Sequence, residues 1–104
     1  MEEIVFNIIA NGGDAKSLSY EAILEAENGN YDRAEELLIE ADEALKIAHN
    51  TQTKIITDEV NGKHIDVSVL FVHAQDHLMT AMEVRTLAER FIFLNKKIDR
   101  LIDR

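Results

Sequence analysis

The chain has 104 residues and a mass of 11.8 kDa, the size of one ordinary domain, and a composition of 46% hydrophobic and 30% charged residues excludes wholesale disorder. Eleven Lys and Arg against twenty Asp and Glu leave a net charge of −9, which argues against binding to nucleic acid or anionic lipid. Cysteine is absent, so disulfides, thiolate nucleophiles and Cys-based metal centres are excluded, and a reducing compartment suits the chain. No apolar run reaches the length that spans a bilayer, and Met1-Glu2-Glu3 lacks the positive start of a secretory signal. One domain over residues 1–104 and a cytoplasmic location are the expectations. Charge is unevenly placed: residues 1–84 hold five basic and seventeen acidic side chains, whereas 85–104 hold six basic and three acidic.

Proline is absent and the four glycines fall at three places, Gly12-Gly13, Gly29 and Gly62, so long helices are allowed and three are expected. The first spans about Glu2 to Glu27, with Ile4, Ile8, Ala15, Leu18, Ala22 and Ala26 recurring at three- and four-residue steps. Gly12-Gly13 either kinks it or admits another helix at close range. Asn28-Gly29-Asn30 makes a short turn, with Asn30 as the N-cap of a second helix whose early Asp32, Glu35 and Glu36 favour the positive end of the helix dipole.

The second helix continues through Ala34, Leu37, Leu38, Ala41, Leu45, Ala48, Ile55 and Ile56 to about Glu59, a length of roughly 40 Å at 1.5 Å per residue. Asn61-Gly62 ends it, His64 lies in the connection, and Asp66 or Ser68 caps a third helix that runs to the C-terminus. The basic residues at 96–104 suit that helix's negative end. Ile65, Val67, Val69 and Val72 carry strand propensity, so a short strand around 64–70 competes locally. The fold class is therefore all-α, an antiparallel three-helix bundle.

The segment from Val69 to Met82 is the informative one. At about 100° per residue, His73, Asp76, His77 and Thr80 share one stripe, while Gln75 points nearly the opposite way. Leu70, Phe71, Val72, Leu78, Met79 and Met82 are spread around the other directions, more than two neighbouring helices can cover. Other copies of the chain are the simplest cover, against the plainer reading of a monomer with a few exposed apolar residues. In such a setting Asp76 needs a partner or a cation, and near an oligomer axis several copies could share a divalent ion; the plainer role is to accept one hydrogen bond.

His73 and His77 have the one-turn spacing of two zinc ligands, but Ala74 stands where a zincin carries its general-base glutamate, so a metalloprotease is disfavoured. His73-Ala74-Gln75-Asp76-His77 does bring a nucleophilic imidazole, an amide and proton partners into five residues. Spacing alone leaves a functional site and a structural cluster both open.

The octet His73-Ala74-Gln75-Asp76-His77-Leu78-Met79-Thr80 resembles the active-site signature of the lactose/cellobiose-type enzyme IIA of the bacterial phosphoenolpyruvate-dependent sugar phosphotransferase system. Asn11 to Leu18, Glu27 to Tyr31 and Ala48 to Lys54 resemble further segments of that family in the same order, so the likeness covers nearly the whole chain. It implies a three-helix subunit assembled into a homotrimer, with His73 taking a phosphoryl group from the phosphocarrier HPr. His73 then passes the group to a cysteine of the cognate enzyme IIB during uptake of a disaccharide.

The resemblance also implies that Asp76 of three subunits meets on the trimer axis around one Mg2+, and that Gln75 and His77 support the phosphohistidine. Ala74 is the residue of cellobiose- or chitobiose-type members, where lactose-type members tend to have glycine. An imidazole with the reference pKa of about 6.5 is nucleophilic near neutral pH and forms a phosphoramidate that passes phosphate on readily. His49 is expected to be structural, near a subunit interface, and His64 to be solvated.

Two other readings compete. Gly29-Asn30-Tyr31-Asp32-x-Ala34 looks like the turn of tetratricopeptide or microtubule-interacting-and-transport hairpins, which bind peptides in helical grooves. A His/Asp metal-binding bundle without phosphotransfer is the other. Neither accounts for residues 73–80 as well.

Overall fold

A computed structural model describes residues 1–102, which form α1 (Glu2–Glu27), α2 (Tyr31–Val60) and α3 (Val69–Ile102). Successive helices reverse direction, so α1 and α3 run the same way, and the bundle is a rod of 61 × 20 × 20 Å. α1 lies along both of the other helices.

Two apolar clusters fill the ends of the rod. Val5 and Ile8 of α1 meet Ala48 and Ile55 of α2 and Phe71, Ala74 and Leu78 of α3 in one. Ala22 and Ala26 meet Ala34, Leu37, Leu38, Ala88 and Ile92 in the other. Between them the buried positions are small, among them Gly12, Ala15, Ser19, Ala41 and Ala81, which lets the three backbones approach closely. The Ser19 hydroxyl is satisfied there by donating to the Ala15 carbonyl at 2.8 Å.

Several expectations are amended. α1 is one continuous helix through Gly12-Gly13, so the glycines serve close approach and not a break, although two helical glycines cost about 1 kcal/mol each relative to alanine. The core stripe of α1 uses Val5 and Ser19 where Ile4 and Leu18 were expected, and those two are only partly buried. On α2, Ile56 is exposed and Gln52 is buried in its stead. Asn30 takes the N-cap position of α2, but its amide donates to Glu25 at 3.1 Å and makes no cap bond.

Gly29 and Gly62 both adopt positive φ, +81° and +90°, which end the preceding helices with no steric penalty. The strand considered around 64–70 does not form: residues 63–68 are an irregular connection, and the described residues hold no second extended segment to pair with. Of the two proposed caps, Ser68 acts, its Oγ accepting the Phe71 N–H at 3.0 Å. Arg100 stands in the last turn of α3, and Arg104 lies outside the described residues.

α2 and α3 are tied at their surface by ions. Arg85 pairs with Asp42 at 2.7 Å, and Lys96 with Glu35 at 2.8 Å. Among the described residues no helix is long and apolar enough to cross a membrane.

Candidate functional site

The first turns of α3 project the candidate residues in three directions. Ala74, Leu78 and Ala81 face the core and are fully buried, which fixes the rotation of the helix. With that direction set, the 3.6-residue repeat turns Asp76 outward, His73 and His77 toward the α1 side, and Gln75 toward α2.

His73 is exposed, with its ring available to a partner from solution. His77, one turn on, is half-buried, and the two rings stack with centroids 6.0 Å apart and planes 18° from parallel. His77 is seated against the backbone of α1: a Cβ built on Gly12 would lie 3.5 Å from His77 Cδ2 and 3.6 Å from Leu78 Cα, and one on Gly13 would lie 3.3 Å from His77 Nε2. Gly13, where the contact is the tighter one, thus leaves room for an imidazole on the neighbouring helix.

Burial holds the His77 pKa below the usual histidine value, the positive charge of Lys16 and the nearby His73 lower it further, and Asp76 opposes them. His77 is therefore a neutral ring near neutral pH. Lys16 reaches this seam from α1 and donates to the Thr80 hydroxyl at 3.0 Å, while Thr80 donates to the His77 carbonyl at 3.0 Å. Lys16 makes no ion pair among the described residues, and its charge acts on His77.

On the other flank, Gln52 of α2 donates its amide N–H to the Gln75 carbonyl oxygen at 3.1 Å. Asp76 is exposed, with no hydrogen bond or ion pair among the described residues. Among the described residues no group of three His, Asp or Glu is placed to hold a metal ion.

The structure therefore brings His73, His77 and Thr80 to one seam, leaves Asp76, which the spacing puts on the same stripe, facing solvent, and turns Gln75 to α2. His49 is exposed and borders a separate groove of about 370 Å³ with Asp42, Met82 and Arg85. His64 is exposed in the connection, 3.2 Å from Asp66.

Three contributors escaped the sequence reading: Gln52, Lys16 and the contact of Gly13 with His77. Gln52 left a signal, a long amide on the apolar stripe of Ala41, Leu45, Ala48 and Ile55 where a hydrocarbon belongs. Lys16 left none, because the partner hydroxyl is 64 positions away.

Comparison with known proteins agrees with this architecture. Residues 3–96 match the family described as PTS system, Lactose/Cellobiose specific IIA subunit. The lichenan-specific phosphotransferase enzyme IIA component of Bacillus subtilis is 44% identical over 98 residues, covering 94% of this chain and 89% of the relative. The crystal structure of the cellobiose-specific enzyme IIA from Bacillus anthracis superposes with a TM-score of 0.93 at 43% identity, covering 95% of this chain and 91% of that one. The IIA(Chitobiose) structure determined in complex with HPr from Escherichia coli matches with a TM-score of 0.82 at 39% identity, covering 94% and 95%.

Proposed function

The chain belongs to the lactose/cellobiose-specific IIA subunit family of the sugar phosphotransferase system, and from that footing we propose that His73 is its phosphoryl carrier. The single observation that carries the assignment is the exposed His73 ring stacked on the half-buried, neutral His77. An accessible imidazole suits a group that two successive proteins must visit, whereas a buried one would serve a reaction enclosed within this chain.

The phosphoryl donor is HPr, the partner in the similar chitobiose complex, and the acceptor is a cysteine of the cognate enzyme IIB. In the loading step the lone pair of a neutral His73 nitrogen attacks phosphorus. The bond to the donor atom breaks, its electron pair stays with the donor, and no water is consumed. In the second step His73 is the leaving group and the thiolate the nucleophile. Each transfer adds or removes about two negative charges on a chain already at −9, so basic surfaces on both partners favour encounter. His77 supports the loaded ring from its own helix, and Gln75, turned toward α2, would support the loaded ring of a neighbouring copy. The cargo is a disaccharide of the cellobiose, chitobiose or lactose type, and the sugar itself need not touch this chain. The location is the cytoplasm, where a phosphoenolpyruvate-driven relay operates, and the whole chain acts as one carrier domain.

The working assembly is a homotrimer. Asp76 lies on the face of α3 directed away from α1 and α2, in line with the exposed Val72, Met79, Leu87, Leu94 and Leu101, with Glu83 and Arg90 interleaved. A stripe of that length, continuous along a helix whose opposite face is already buried, is what a symmetric helix–helix contact covers. Asp76 of three copies then meets on the axis. Carboxylate oxygens are hard ligands, and Mg2+ shared among them would offset their mutual repulsion.

Incubation with phosphoenolpyruvate, enzyme I and HPr is expected to add one acid-labile phosphate per chain, and His73→Ala to abolish it. Stoichiometric labelling of His73→Ala would overturn the assignment. The helical interaction module considered above is not favoured, because residues 3–96 match the IIA subunit family.

A further inference from the structure

We propose that Gly13 is a positioning residue for phosphoryl transfer: the space left by its missing side chain seats the His77 ring, and His77 in turn sets the ring of His73. The inference rests on the reading of His73 as the phosphoryl carrier and concerns what holds that carrier in place.

Gly12 and Gly13 are adjacent in α1 but do different things. A Cβ on Gly12 would meet His77 Cδ2 at 3.5 Å, Leu78 Cα at 3.6 Å and the His77 carbonyl oxygen at 3.8 Å, all ordinary contact distances. Alanine fits there. A Cβ on Gly13 would meet one atom, His77 Nε2, at 3.3 Å, which is closer than a relaxed contact. Alanine at 13 therefore leaves the helix backbones undisturbed and displaces one imidazole by a few tenths of an ångström.

That imidazole has little freedom to absorb the push silently. Its neighbour Leu78 is fully buried in the core, which fixes the backbone of α3 at this level. Its stacked neighbour, 6.0 Å between centroids, is His73. The displacement is therefore transmitted to the ring that carries phosphate. Alanine in a helix interior is otherwise favourable relative to glycine, so retaining two glycines at consecutive positions of a 26-residue helix runs against local propensity. Of the contacts at the two positions, the one between Gly13 and His77 is the one tight enough to favour a glycine.

The test compares Gly13→Ala with Gly12→Ala in the full chain, using the histidine ring resonances of the unphosphorylated protein, thermal unfolding, and the kinetics of loading from phosphorylated HPr. In Gly13→Ala the ring signals of both His77 and His73 are expected to shift while those of His49 and His64 stay in place. Loading is expected to fall roughly three- to tenfold in kcat, the scale of a sub-ångström misplacement, with KM for HPr little changed. Tm is expected to hold or rise. Gly12→Ala is expected to load like the parent.

Unchanged His73 signals in Gly13→Ala, or shifted signals with parental loading, would overturn the proposal. If Gly13→Ala does not fold, the clash predicts that adding His77→Ala restores folding, and failure of the double variant also overturns it. Absence of label on the parent's His73 would instead overturn the carrier assignment, and the ring resonances would still report whether Gly13 seats His77.

Discussion

The amide of Gln52 on α2 donates to the carbonyl oxygen of Gln75 on α3 at 3.1 Å, among the described residues the one side-chain hydrogen bond that joins the candidate site to the second helix. The Gln75 oxygen is turned to Gln52, which leaves its two N–H donors for another acceptor. Gln52 itself is 8% exposed, so the pair is a polar contact inside an apolar seam.

From that contact we predict that Gln52→Leu, which keeps the volume but removes the donor, lowers stability by about 1 kcal/mol, because the half-buried Gln75 oxygen loses its partner. Urea unfolding at neutral pH measures it. The double variant Gln52→Leu/Gln75→Leu should recover most of the loss. A double variant that is less stable by the full sum of the two single changes would show that the bond contributes nothing.

The lowered pKa of His77 predicts a pH dependence whose sign follows from linkage. Below the ordinary histidine range the unfolded chain binds a proton at this residue more readily than the folded one does. Stability therefore rises with pH across that window and is lost as pH falls from above 6.5 toward the folded value. His77→Asn should flatten the part of the profile just below the ordinary histidine value that this ring controls. An NMR titration of His77 with its midpoint at or above 6.5 would contradict this reading.

The outward stripe of α3 gives a prediction about assembly. Light scattering should return three times the 11.8 kDa chain mass. Leu94→Glu should drive the protein to monomer, since burying an unpaired carboxylate costs several kcal/mol per subunit. Asp76→Leu should leave a trimer that no longer responds to chelator. A parent protein that is monomeric over a wide concentration range would reject the symmetric contact.

Ser68 tests how far the start of α3 supports the site. Its hydroxyl accepts the Phe71 N–H, and Phe71 is buried two residues before His73. Ser68→Ala should cost about 1 kcal/mol of stability, and Ser68→Asp, which keeps an acceptor at the N-cap, should cost less. Amide hydrogen exchange should show the loss concentrated at residues 69–73. Equal protection in Ser68→Ala and the parent would mean that packing of Phe71 alone fixes the helix start.

Much of this protein is legible in one dimension because its structure is helical and its signals are local. Helix number, the turns at Gly29 and Gly62 and the outward placement of Asp76 relative to Gln75 all follow from a 3.6-residue repeat interrupted by two glycines with positive φ. The octet from His73 to Thr80 identified the family, and residues 3–96 match it. The strand considered around 64–70 failed for a reason the same logic supplies: β propensity needs a partner strand, and a three-helix chain has none.

What the sequence could not determine is which residues meet across the helices. Helical periodicity states the direction in which a side chain points but not the axial offset of the neighbouring helix. That offset is set jointly by the two apolar clusters and the small residues between them. It decides that Gly13, and not Gly12, is the glycine that faces the His77 nitrogen, that Lys16 finds Thr80, and that Gln52 finds Gln75. The charge of −9, the missing cysteine and the helical repeat belong to the chain itself. The neutral, backbone-seated His77 beside His73 exists only once three helices have packed, because burial and the Lys16 charge, which lower its pKa, both come from residues some sixty positions away.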